Sequence, residues 1–118
     1  MPGLRTFPRH ERLTKQSEFR EVYGQGRKAV GRSFVCYVAR CEGQGRKFGM
    51  AVSRKVGGAV TRNRVKRYLR EIYRARREDL KDDMSIVIVA RRAASTLSFA
   101  ECEEALDRLF RTGGALRD

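Results

Sequence analysis

RKFGMAVSRKVGGAVTRNRVKRYLREIYRARREDLKDDMSIVIVA, Arg46 to Ala90, is the stretch whose reading decides the fold. Arg46 to Ser53 alternates large Phe48, Met50 and Val52 with small Gly49, Ala51 and Ser53, the two-residue period of a strand. Its large face can fill a core, whereas its small face leaves the backbone open to close approach. Thr61 to Arg77 places Val65, Leu69 and Ile72 on one helical stripe, bordered by Tyr68 and Ala75. MSIVIVA, Met84 to Ala90, is a continuous apolar run that fits a strand covered on both faces. Strand, helix and strand in this order predict two parallel strands joined by a helix.

Working outward, Leu13, Phe19, Val22 and Tyr23 fall at helical spacings, which suits a short amphipathic helix ending near Gly24 and Gly26, with Thr14 or Ser17 near its start. RKAVG, Arg27 to Gly31, reads as a turn or short strand. SFVCYVARC, Ser33 to Cys41, is β-branched and aromatic, and the turn EGQG after it makes a hairpin with Arg46 to Ser53 the expected pairing. The last helix, Ser95 to Phe110, aligns Leu97, Phe99, Cys102, Leu106 and Leu109, with Ser95 or Ser98 as its cap. The predicted class is α+β, an α/β sandwich of order α-β-β-β-α-β-α around one mixed four-stranded sheet. Residues 1–118 form a single domain, with 1–12 an extended basic N-terminal segment and 112–118 a frayed tail.

The 118 residues carry 27 Lys and Arg against 14 Asp and Glu, a formal net charge of +13. That balance calls for a polyanionic partner. Residues 1–40 hold 9 basic and 3 acidic residues, 41–80 hold 12 and 4, and 81–118 hold 6 and 7, so the charge is placed on the first two thirds. Neither a membrane span nor a secretory h-region is legible, which predicts a cytoplasmic protein. Cys36, Cys41 and Cys102 lack CxxC spacing and read as buried free thiols, and the single histidine, His10, has no ligand-spaced neighbours. No metal site is expected. Carboxylates do not pair beside the basic helix, so no catalytic residue is assigned and a protein nuclease is disfavoured.

Thr61 to Arg77 packs seven Arg and one Lys beside a single Glu. Opposite its apolar stripe, positions 63, 66, 67, 70, 74 and 77 contain no carboxylate, so this face repels itself when the protein is alone. Phosphates would relieve it, and guanidinium forks match phosphate oxygens bidentately. Arg62 and Asn63 lie in the first turn, where free backbone N–H groups add to phosphate binding. A second candidate surface combines Phe19, Tyr23 and Tyr37 with Arg54 and Lys55, a stacking and phosphate groove for a single strand if they converge. From periodicity alone, Phe19 and Tyr23 read more readily as core.

The blocks ERLTKQSEFREVYGQGRK, SFVCYVA, RKFGMAVSRKVGGAVTRNRVKRYLREIYR and IVIVARRAAS together resemble the protein subunit family of bacterial ribonuclease P over nearly the whole chain. The resemblance implies a left-handed β-α-β crossover, against the usual right-handed preference. It implies a cofactor of a ribozyme, whose RNA removes the 5′ leader from precursor tRNA with Mg²⁺ held mainly by RNA and no organic cofactor. Arg62, Asn63, Arg64, Lys66, Arg67 and Arg70 match the signature helix that contacts the catalytic RNA, and Arg74 continues its stripe. Phe19, Tyr23 and Tyr37 match aromatic positions of the cleft that receives the leader. Arg54 and Lys55 match its basic loop, and Arg91 and Arg92 a basic pair after the last strand. Tyr23 stands where Phe is more usual, and Ser53 where some relatives carry Lys. The expected partners are the catalytic RNA and the precursor leader, with no membrane and no obligate protein partner. Competing readings are a structural RNA-binding protein of ribosomal type, a dimeric DNA-binding regulator and a protein-only nuclease.

Overall fold

The periods of the central stretch become a strand, a helix and a strand in the computed structural model, which describes residues 7–117. The elements are α1 (Gln16–Gln25), β1 (Arg27–Val30), β2 (Phe34–Arg40), β3 (Lys47–Ala51), α2 (Ala59–Arg76), β4 (Met84–Ala90) and α3 (Phe99–Thr112). They make one sheet in the order β1-β2-β4-β3, with β3 parallel to β4 and the other pairs antiparallel. The expected α+β class with a mixed four-stranded sheet is therefore the observed one.

The expected β2–β3 hairpin does not form. β4 lies between those strands, pairing Tyr37 with Val87 on one side and Gly49 with Val87 on the other. The apolar run of β4 fits this central place, where helices cover both of its faces. The turn after β2 instead passes the start of β4, where Asp83 accepts from Cys41 N–H at 2.8 Å and from Gly45 N–H at 3.0 Å.

Each sheet face has its own core. Phe34, Cys36 and Val38 of β2, Phe48 of β3, and Ile86 and Ile88 of β4 pack with Val65, Leu69 and Ile72 of α2 and with Cys102, Leu106 and Phe110 of α3. On the other face, Val22 of α1 and Leu13 meet Ala39 and Val87, with Phe19 and Tyr37 alongside. α1 begins later than Leu13, and no side chain of Thr14 or Ser17 caps it. Glu18 accepts from the N–H groups of Thr14 and Lys15 instead, the Glu half of a capping box. The helix ends at Gly26, which turns to extended backbone at a place where a Cβ would lie 2.4 Å from the Val22 carbonyl oxygen, so that glycine is needed there. Ser98 caps α3, accepting from Glu101 N–H at 3.1 Å.

Both chain ends differ from expectation over their described residues. The extended segment expected over 1–12 lies outside the described residues at 1–6 and is not simply extended at 7–12: Phe7 is buried, Arg9–Glu11 forms a 3-10 turn, and Arg12 bridges to Phe48. Phe48 stacks on Tyr73 at 4.4 Å between centroids, and Phe7 meets both rings edge-on. Glu11 is 3% exposed, accepts from the Tyr73 hydroxyl at 2.6 Å and pairs with the Arg77 guanidinium. Burial alone would raise its carboxyl, but the bonds from Arg77 and Tyr73 outweigh that and hold it below its ordinary value. The C-terminal residues are likewise pinned, with Ala115 fully buried, Leu116 bridged to Leu80, and Ala115 O and Arg117 N bonded to Lys81 and Asp79. Backbone pairing is what a frayed tail lacks.

Cys36 and Cys102 are buried free thiols, pushed up by burial to about 12 and about 11. Cys41 is only half-buried, with its Sγ 3.0 Å from Ser85 Oγ.

Candidate RNA-binding surfaces

The arginines of the charged stretch divide into two groups. Arg76 donates to Asp107 at 2.8 Å and to Glu103 at 2.9 Å, clamping α2 to α3. Arg77 holds Glu11 and Glu78. Arg64 donates to the Ser95 carbonyl, tying α2 to the segment before α3. By contrast, Arg62, Lys66, Arg67, Arg70 and Arg74 have no carboxylate partner among the described residues. The Nε atoms of Arg62 and Arg74 are buried without any hydrogen-bond acceptor, and Arg67 lies over the Tyr68 ring at 5.5 Å. Asn63 is exposed in the first turns of α2.

This corrects the helix as read from spacing at two positions. Arg77 counted as part of the self-repelling stripe, but it is neutralised by Glu11, 66 residues away in sequence. Tyr73 was not on the apolar stripe at all, yet it is fully buried. Residues 7–11 cover that flank and widen the buried face. No helical period within α2 carries that information.

The three aromatics converge. Tyr23 and Tyr37 meet edge-to-face at 4.8 Å, Phe19 lies 6.4 Å from Tyr23, and the Lys28 ammonium sits 5.8 Å from the Tyr37 ring centre. Tyr23 is 38% exposed, whereas Phe19 is half-buried. The small face of β3 explains the difference: a Cβ on Gly49 would lie 2.8 Å from the Phe19 ring and 2.9 Å from Leu13 Cβ. The close approach that Gly49 permits is therefore used by the protein's own Phe19.

The strand register reveals a further strip that spacing alone did not expose. Val30, Val35, Val89 and Ala51 are successive partners across all four strands, in the row next to Lys28, Tyr37, Val87 and Gly49. α1 covers the second row, where Val87 and Gly49 are buried, and stops short of the first, where Val30 is 60% exposed and the others half-buried. An open apolar strip thus continues the aromatic patch. Beyond it stand the basic loops. Arg54 and Lys55 are exposed in the turn after β3, where Ser53 Oγ accepts from Lys55 N–H at 3.3 Å. Arg92 is exposed, and Arg91 donates to the Gly31 carbonyl at 3.0 Å, which fixes it at the end of the strip.

Mg²⁺ fits none of this. Among the described residues no group of three His, Cys, Asp or Glu could hold a metal ion, and the unpaired face of α2 is cationic. No step through a protein-held metal follows from these residues. No helix among the described residues is long and apolar enough to cross a membrane.

Fold and surfaces together define a single-domain α+β protein that presents a guanidinium stripe without carboxylate partners among the described residues and, on the other sheet face, an aromatic and apolar strip. A family model described as Ribonuclease P matches residues 7–113, and the chain belongs to that family. It is 35% identical to the ribonuclease P protein component of Dictyoglomus thermophilum, covering 98% of both chains, and 36% identical to that of Bacillus pumilus, covering 87% of both. Among solved structures it superposes on the RNase P protein of Staphylococcus aureus with a TM-score of 0.85 at 25% identity, covering 91% of this chain and 98% of that one. The RNase P protein of Thermotoga maritima gives 0.78 at 27% identity, covering 86% and 96%.

Proposed function

We propose that this chain is the RNA-binding subunit of ribonuclease P, the ribonucleoprotein endoribonuclease that removes the 5′ leader from precursor tRNA and leaves a 5′-phosphate on the mature molecule. The observation that carries this reading is the sorting of the α2 cations. Those that face the protein are neutralised by Glu11, Glu103 and Asp107, while Arg62, Lys66, Arg67, Arg70 and Arg74 are left for an outside anion. Asn63 and Arg64 belong to the same docking face for the catalytic RNA.

The leader runs over the opposite sheet face. Its bases stack on Tyr23 and Tyr37 and lie against the Val35–Val89–Ala51 strip, while Arg54, Lys55, Arg91 and Arg92 hold its phosphates. Phe19 supports this surface by fixing the ring of Tyr23. Cleavage releases the leader, so these contacts favour precursor over product. The catalytic centre and its Mg²⁺ belong to the RNA, and the chain's positive charge screens RNA–RNA repulsion, lowering the Mg²⁺ requirement and broadening the substrates accepted. The protein works in the cytoplasm.

Reconstitution with a bacterial ribonuclease P RNA tests the reading. The expected result is faster cleavage of precursor tRNA at low Mg²⁺, with Tyr23→Ala weakening precursor binding by about 1–3 kcal/mol and leaving mature tRNA unaffected. A structural RNA-binding protein of ribosomal type would bind RNA without stimulating cleavage.

A further inference from the structure

A cleft of about 350 Å³ opens at the outer edge of β3, between residues 12–14 and α2. Arg12 bridges to Phe48 and Leu13 N–H donates to the Phe48 carbonyl at 3.0 Å, so this segment runs along the β3 edge. Arg70 and Arg74, one turn apart on α2, line the cleft with Met50, Leu13 and Thr14. Three other clefts each carry carboxylates, among them Glu18 and Glu21, Glu101 and Glu104, and Glu78 and Asp107. Among the described residues no carboxylate lines this one, because Glu11 turns away to Tyr73 and Arg77.

Two of its three arginines are also uncommitted. Arg12 spends its Nε and one terminal nitrogen on the Phe7 carbonyl, but Arg70 and Arg74 have no acceptor among the described residues, and Arg74 Nε is buried without one. An anion in the cleft would give these guanidinium groups the acceptor they lack. The walls are amphipathic: two guanidinium groups on one side, and Leu13 and the pliable thioether of Met50 on the other. The volume sits at the low end of ligand clefts, about 300–1,000 Å³, which suits one flexible unit and excludes a duplex.

We propose that this cleft is a nucleotide pocket: it takes a single nucleotide of an RNA strand, with the phosphate on Arg70 and Arg74 and the base against Leu13 and Met50. The choice of RNA rests on the function proposed above, and on the fact that both arginines belong to the unpaired α2 stripe. Leu13 and Gly49 line the cleft and also touch Phe19 or each other beneath it. The pocket therefore lies at the sheet edge between the two RNA surfaces, where a strand passing from one to the other would cross.

Uridine 5′-monophosphate is the probe for the intact protein. NMR shifts are expected at the Thr14 amide, the Met50 methyl and the Nε–H groups of Arg70 and Arg74, with much weaker binding of uridine, which lacks the phosphate. Arg74→Gln should weaken monophosphate binding about tenfold, the loss of one charge-assisted bond, and Arg70→Gln should do likewise. Arg111→Gln, an equal charge loss on exposed α3, should leave it unchanged. Shifts spread over all arginines, or equal losses for Arg74→Gln and Arg111→Gln, would overturn the pocket. In the reconstituted holoenzyme, a loss confined to precursor tRNA identifies the nucleotide as the leader's, and a loss in affinity for the RNA subunit identifies it as that RNA's. Unchanged affinity for both overturns the proposal. Wild-type protein that binds the monophosphate here but fails to stimulate cleavage would refute the proposed function and leave the pocket standing.

Discussion

Glu11 is the residue on which the N-terminal segment turns. A carboxylate 3% exposed is tolerated only because Tyr73 and Arg77 donate to it from α2 and the turn after it. Its pKa is held below the ordinary 4.5, so the folded state binds the proton less readily than the unfolded chain. The resulting stability is complete above about pH 4.5 and is lost as pH falls through the depressed value. Glu11→Gln should cost about 2–3 kcal/mol near neutrality, below the range for fully buried pairs because Arg77 keeps part of its side chain in water. The variant's stability should also stop falling in that acid window. Urea unfolding from pH 2 to 7 checks both, and a parallel decline in the two proteins would show that Glu11 does not carry the acid sensitivity. None of this was legible in MPGLRTFPRHER, where Glu11 is one charge among several.

At the scale of elements, α2 does two jobs with one composition. Spacing identified its apolar stripe, and Val65, Leu69 and Ile72 are buried. Spacing also found the basic face, but it could not divide the cations into those spent on Glu11, Glu103 and Asp107 and those left over. That division depends on which acids α3 and the N-terminal segment bring alongside. Because Arg67 and Arg70 belong to the unspent set, the proposed docking predicts that replacing both with Ala leaves the fold intact and weakens binding to a bacterial ribonuclease P RNA. The slope of log K against log salt should flatten by about 1.5, two phosphate contacts at roughly 0.7–0.9 each. Filter binding across a salt series measures it, and an unchanged slope would remove these residues from the interface. The corresponding pair Arg76 and Arg77 should behave oppositely, acting on stability.

For the molecule as a whole, the C-terminal residues close the structure. Ala115 is buried, and Lys81 and Asp79 bond to the backbone of Ala115 and Arg117, so a chain ending at Thr112 loses apolar burial and edge pairing together. Its melting temperature should fall by about 10 °C, the equivalent of a few kcal/mol in a domain of this size. A frayed tail would leave the transition where it was.

The sequence by itself determined most elements and their kinds: β4 spans Met84–Ala90 as its apolar run required, α2 follows its stripe, α3 follows its own from Phe99 while Ser95 falls in a separate 3-10 turn, and the charge excess called for a polyanion. These are local properties, set by side-chain periods of two and 3.6 and by composition. Tertiary structure alone decided that β4 enters between β2 and β3, that Phe19 fills the space left by Gly49, and that the Val30–Val35–Val89–Ala51 row stays open. It likewise decided which arginines are neutralised. Each of these depends on groups distant in sequence meeting in space, and burial, pairing and charge compensation are properties of the neighbourhood, which no single segment encodes.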